Sequence, residues 1–152
     1  MTGMAFLSRA VFRRALVLPR SAIFQGTRKN LTLNRFYGTK YDEVKEITDE
    51  EFEDVIGDST KPTLVDFYAE WCGPCKTLGP ILAEAVEKDG RVRLVKINTD
   101  EYQDAAAEYQ VSALPTVIAF KDGKIVDDFV GMLNKKKVEE FIQGVVSKSE
   151  GK

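Results

Sequence analysis

The chain has 152 residues, 43% of them apolar, enough for one packed domain. It has no histidine, which excludes His-based dyads, triads and metal ligands from its own chemistry. The net charge of −2 conceals two unlike parts: residues 1–41 carry eight basic residues and no acid, while residues 42–152 hold the other 14 basic residues and all 24 acids, a net of −10. An acidic body argues against nucleic-acid binding, which needs clustered Lys and Arg to displace counterions from phosphates.

Residues 1–40 are rich in Arg and hydroxyl side chains and free of acids, as mitochondrial and chloroplast transit peptides are. Helical spacing puts Arg9, Arg13 and Arg20 along one stripe and Leu7, Val11 and Leu18 along another. A secretory signal needs an unbroken apolar stretch, which Arg9, Arg13, Arg14 and Pro19 interrupt. A membrane span needs about 18 consecutive apolar residues. No such run exists, so no stable membrane association is expected. The reading is a mitochondrial transit peptide directing the chain to the matrix; Arg35-Phe36-Tyr37 matches an Arg-x-aromatic cleavage pattern, with a mature start near Gly38. The rival is a disordered basic tail with no address.

After an optional strand near 43–47, Thr48-Asp-Glu-Glu51 reads as a capping box. Phe52, Val55 and Ile56 then predict a short helix over 48–57. Thr63–Ala69 reads as a central strand buried on both faces. A helix from Cys72 to about Lys88 carries Leu78, Ile81, Leu82 and Ala85 on its apolar stripe, with a kink expected at Pro80. A strand over 91–97 and a short helix near 102–109 follow. Asp122-Gly123 between two β-type runs predicts a hairpin of strands 116–120 and 124–130. Val138, Phe141, Ile142, Val145 and Val146 predict a last helix over 134–147. The order is that of a mixed sheet with helices on both faces, one domain over 41–148 with a polar tail at 149–152.

Trp71-Cys-Gly-Pro-Cys-Lys76 holds the only two cysteines. Such a pair can be half of a metal site, a local crosslink or a redox switch. Zinc needs four ligands, and with no other Cys and no His it would have to be shared between chains. A static crosslink over so small a loop gains little. As a redox pair the residues fit well. Cys72 and Cys75 share one face of a helix, within the usual Cα separation of a disulfide, about 5–6 Å. Cys72 sits where a strand ends and a helix begins, and free N–H groups and the helix dipole favour a thiolate there. It is the expected nucleophile; Cys75, one turn in and deeper, is the resolving thiol. Pro74 loses no hydrogen bond in a first turn, and Gly73 lets a partner backbone approach. Asp66, in a buried strand six residues upstream, is costly as an anion, so burial favours its neutral form. It is either a structural acid bonded to backbone or water, or part of the site.

LVDFYAEWCGPCK (64–76), VKINTDE (95–101), ALPT (113–116), FKDGK (120–124) and VG (130–131) stand in the order and spacing of thioredoxins, which the chain resembles over about 42–147. Tyr68 departs from the pattern, since many members have Trp there. The resemblance implies an α/β thioredoxin-like fold, a central mixed β-sheet flanked by helices. It implies a protein-disulfide reductase of cell redox homeostasis that works as a monomer without a bound cofactor. Its partners would be thioredoxin reductase, which recharges it, and disulfide-containing clients such as peroxiredoxins. Asp66 would accept the Cys75 proton through water, Lys96 would modulate that acid, and Pro115 would be a cis-proline facing the sulfurs. Trp71, Gly73, Pro74, Ala113, Leu114, Gly131 and Met132 would form an apolar docking patch. Blander readings stand beside these: Lys96 as an ordinary strand lysine, Leu114 and Met132 as core. Two other functions share the motif, a disulfide isomerase or oxidase and a docking subunit without turnover.

Overall fold

The computed structural model describes residues 44–58 and 60–151. The expected transit peptide over 1–40 and its cleavage site near Gly38 lie outside them. The elements are β1 (Lys45–Glu46), α1 (Asp49–Gly57), β2 (Thr63–Tyr68), α2 (Gly73–Asp89), β3 (Arg93–Asn98), α3 (Asp104–Glu108), β4 (Thr116–Lys121), β5 (Lys124–Val130) and α4 (Lys135–Glu150). The sheet order is β1-β3-β2-β4-β5. β3 pairs parallel with β1 and β2, while β4 pairs antiparallel with β2 and β5. This is the mixed sheet expected from the order of elements.

Strand alternation divides the core into two layers. Leu64, Leu94, Val117 and Ala119 pack with Leu78 and Leu82 of α2 and Val138, Ile142 and Val145 of α4. Val65, Phe67, Val95, Ile97, Ile118 and Phe120 face the other way, towards Phe52 and Ile56 of α1 and Ala105 of α3. All six residues of β2 are buried, as a strand covered on both faces requires. Asp66 shares the side of Leu64, so it points to the α2 layer.

Local chemistry explains where the elements begin and stop. Thr48 and Glu51 form the capping box at α1. Gly90 ends α2 in the left-handed region at φ 74°, donating to the Val86 carbonyl at 2.8 Å. The same helix runs on through Pro80. Asp122 and Gly123 both have positive φ, 53° and 71°, which gives the hairpin a twist matched to its strands. α3 is shorter than expected, and its N-cap residue makes no side-chain cap bond. Its first N–H groups are instead held by Asp49 of α1, at 3.2 and 3.0 Å. α4 runs three residues beyond the expected end at 147, to Glu150. Ser147 and Ser149 bond back to the carbonyls of Gln143 and Val145, so neither breaks the helix.

Arg93 ties three elements together. Its guanidinium donates to the Val55 carbonyl at the end of α1, to Thr63 Oγ1 on β2, and to Asp58 Oδ2 at 2.9 Å. Asp58 also accepts from the Thr60 N–H at 2.9 Å. The Thr60 backbone and hydroxyl, then Arg93, hold the Asp58 carboxyl down from 3.8 to about 2. A carboxyl depressed in the folded state stabilises fully above its unfolded value. That contribution fades as pH falls from about 4 to about 2. Asp58→Asn should therefore melt below the parent at neutral pH, with the two midpoints converging by pH 2. A gap that stays constant from pH 7 to pH 2 would contradict this assignment.

Candidate active site

The two cysteines lie where β2 gives way to α2. Cys72 is the N-cap of α2, with extended backbone, and its Sγ accepts from the Cys75 N–H at 3.2 Å. The first turn of α2 holds no acid. Both features favour negative charge on the first sulfur: an N–H is aimed at it, and the dipole of a 17-residue helix is not offset by a carboxylate. The sulfurs are joined in a disulfide with the Cα atoms 5.3 Å apart. Cys75 is 1% exposed and Cys72 3%, so the expected difference in depth is small in this oxidised form.

The fold also brings together other expected site residues that are distant in sequence. Asp66 is fully buried on β2, in register with Lys96 on β3 and Val117 on β4. The Leu114–Pro115 bond is cis. The Pro115 carbonyl accepts from the Gly131 N–H at 2.8 Å, which fastens the loop before β4 to the end of β5. Gly131 takes φ 88°, a conformation that favours glycine. Thr116 Oγ1 donates to the Ala113 carbonyl at 2.7 Å and closes the same loop. Leu114 is half-buried and packs on the cluster of Tyr68, Ala69, Cys72 and Cys75.

The residues expected to form the docking patch divide by exposure. Trp71 is 73% exposed and Met132 44%; Gly73, Pro74 and Ala113 are also exposed, and Gly131 is half-buried. An apolar side chain this exposed is unlike core packing, so Met132 does not fit the core alternative. The Trp71 indole N–H donates to Asp100 Oδ1 at 3.2 Å. Asp100 was not legible in the sequence: an indole N–H calls for an acceptor, but only the fold shows which acid supplies it. The Tyr68 hydroxyl likewise donates to Glu46 Oε1 of β1 at 2.6 Å, a pairing across strands that the sequence does not show.

A thioredoxin family model matches residues 43–144. The chain belongs to the thioredoxin family. A mitochondrial thioredoxin of Bos taurus is 45% identical over 97 residues, covering 63% of this chain and 58% of that one. The match thus spans less than two thirds of the bovine thioredoxin's own length. The crystal structure of oxidised mitochondrial thioredoxin 3 from Saccharomyces cerevisiae superposes with a TM-score of 0.63 at 35% identity, covering 69% of this chain and 98% of that one. A chain from a structural study of thiol resolution in yeast mitochondrial 1-Cys peroxiredoxin, through glutathione and thioredoxin systems, gives a TM-score of 0.62 at 35% identity. It covers 68% of this chain and 96% of its own. Mitochondrial thioredoxins among its relatives support a mitochondrial location for the chain.

Proposed function

We propose that the protein is a protein-disulfide reductase serving cell redox homeostasis. The observation that carries this reading is the Cys72–Cys75 disulfide at the start of α2, with a backbone N–H directed at the first sulfur. In the reduced protein the Cys72 thiolate attacks one sulfur of a client disulfide. A Cys72–client bond forms and the other client sulfur leaves as a thiolate. Cys75 then gives up its proton, with Asp66 as acceptor through water, and attacks Cys72 Sγ. The client leaves reduced by two electrons, and the Cys72–Cys75 disulfide returns. Lys96, in register with Asp66, modulates the acid. Pro115 and the exposed Trp71, Gly73, Pro74, Ala113 and Met132, together with Leu114 and Gly131, receive the client segment.

Thioredoxin reductase is the proposed electron donor. Disulfide proteins, peroxiredoxins among them, are the proposed clients, a class supported by the peroxiredoxin system of the structural relative. The acid-free basic leader supports import to the matrix. The direct test combines the chain with NADPH, a thioredoxin reductase and a protein disulfide. NADPH consumption that depends on the chain is expected, and no turnover overturns the reading. For location, residues 1–40 fused to a fluorescent reporter should give matrix fluorescence. A diffuse cytosolic signal would remove that part of the proposal.

A further inference from the structure

Tyr68 stands where many thioredoxins have Trp, and its surroundings give the tyrosine hydroxyl a use. The side chain is 6% exposed and belongs to the buried cluster with Ala69, Cys72 and Cys75. Its hydroxyl donates to Glu46 Oε1 of β1 at 2.6 Å. The Lys96 ammonium of β3 lies 5.2 Å from the ring centroid. Lys96 is in register with Glu46 on one side and with Asp66 on the other. The ring thus touches the redox cluster, carries a cation near one face, and is fastened at its tip to the edge strand. A phenylalanine would supply the ring but not the fastening.

We propose that Tyr68 is a positioning residue for the redox pair: its hydroxyl, anchored on Glu46, fixes the ring that holds the Lys96 cation beside the cysteine cluster and so sets the reactivity of Cys72. This rests on the disulfide-reductase reading above. The charged groups around the ring are Glu46 from β1, Asp66 from β2, Lys96 from β3, and Glu70 and Glu101 from the segments following β2 and β3. Lys96 is the cation in this set. A negative charge forming on Cys72 is favoured by a cation held in place and disfavoured by the carboxylates. A cation near an aromatic face is attracted by the ring's electrons, so a ring that cannot tilt also restrains the ammonium. Burial, and then the Glu46 hydrogen bond, push the Tyr68 hydroxyl well above its usual range, so it stays a neutral donor at physiological pH.

The test measures two quantities in the full chain. One is the rate of Cys72 alkylation by limiting iodoacetamide at pH 7, located by mass spectrometry. The other is the equilibrium in which the Cys72–Cys75 disulfide and two glutathione thiols give the dithiol and glutathione disulfide. Tyr68→Phe should slow alkylation by about threefold or more, a factor in keeping with loosening one cation–ring contact, and should shift the equilibrium towards the protein disulfide. Glu46→Ala, at an exposed position, should do the same by freeing the hydroxyl. Glu46→Gln keeps an acceptor and removes a negative charge, so it should react at least as fast as the parent. The double variant Tyr68→Phe/Glu46→Ala should be no slower than either single one. If Glu46→Ala and Glu46→Gln behave alike, Glu46 acts by charge alone and the positioning role is overturned. Unchanged alkylation and equilibrium in Tyr68→Phe, even with a lower melting temperature, also overturn it. If the parent disulfide itself fails to exchange with glutathione, the reductase reading falls and takes this inference with it.

Discussion

Cys72→Ser should abolish reduction of protein disulfides, while Cys75→Ser should accumulate clients bound to the protein through sulfur. The two cysteines have the same side chain, and their positions make the outcomes differ. Cys72 caps α2, and its sulfur already receives the Cys75 N–H. A thiolate there is stabilised by that N–H and by the helix dipole. A serine hydroxyl cannot take its place, because it neither ionises at neutral pH nor exchanges with disulfides. Cys75 follows one turn into the helix, and it is the Cys72 sulfur at the cap that receives the helix N–H, so Cys72 is the expected first nucleophile. Without Cys75, attack by Cys72 still forms the mixed disulfide, but nothing in the chain resolves it, since there is no third cysteine. Non-reducing gels of mitochondrial extract treated with reduced Cys75→Ser should show new adducts that collapse on adding dithiothreitol. Adducts formed equally by Cys72→Ser/Cys75→Ser would refute the assignment. A protein that only docked to its partners would keep its function in Cys72→Ser.

Asp66→Asn should slow resolution of the mixed disulfide by about tenfold or more at pH 7, with the first attack changed by less than about threefold, as expected for the loss of one general base under the mechanism proposed above. Asp66 is fully buried on the strand leading to the cysteines and faces the layer occupied by α2. Proton transfer from Cys75 is needed only in the second step, so the two steps separate the acid's chemistry from any general damage. Asparagine has nearly the same shape and cannot accept a proton. It also removes the desolvation cost of a carboxyl from the interior, so the melting temperature should not fall. Rapid-quench measurement of mixed-disulfide decay gives both rates. Equal slowing of the two steps would mark Asp66 as a packing residue; no slowing of either would remove it from the mechanism.

Most of the architecture was legible because its signals are local. The capping box at Thr48, the Asp122-Gly123 turn and the i, i+3, i+4 spacing on α1, α2 and α4 each act over a few residues, and the structure shows each of them. The misjudged boundaries are those set from elsewhere in the fold. β3 starts at Arg93 rather than Arg91. Arg91 is engaged with Asp89 and with Gln143 of α4 just after the Gly90 cap. α3 starts only at Asp104, where the Asp49 carboxylate of α1 accepts from its first N–H groups.

The sequence by itself determined the chemical character of the site. With one Cys-Gly-Pro-Cys motif, no other cysteine and no histidine, thiol exchange was the chemistry the chain's own residues best supported, and the strand-to-helix junction already made Cys72 and Cys75 unequal. Only the tertiary structure decided what surrounds them. Asp66 and Lys96 are 30 positions apart in the chain yet face one another across neighbouring strands. The loop at Pro115 is fastened by Gly131, Trp71 is held by Asp100, and Tyr68 is tied to Glu46. The physical reason is reach. Caps, turns and helical stripes are encoded within a few residues, whereas a hydrogen bond between strands depends on register and sheet order. Those are fixed only when the whole apolar pattern has packed.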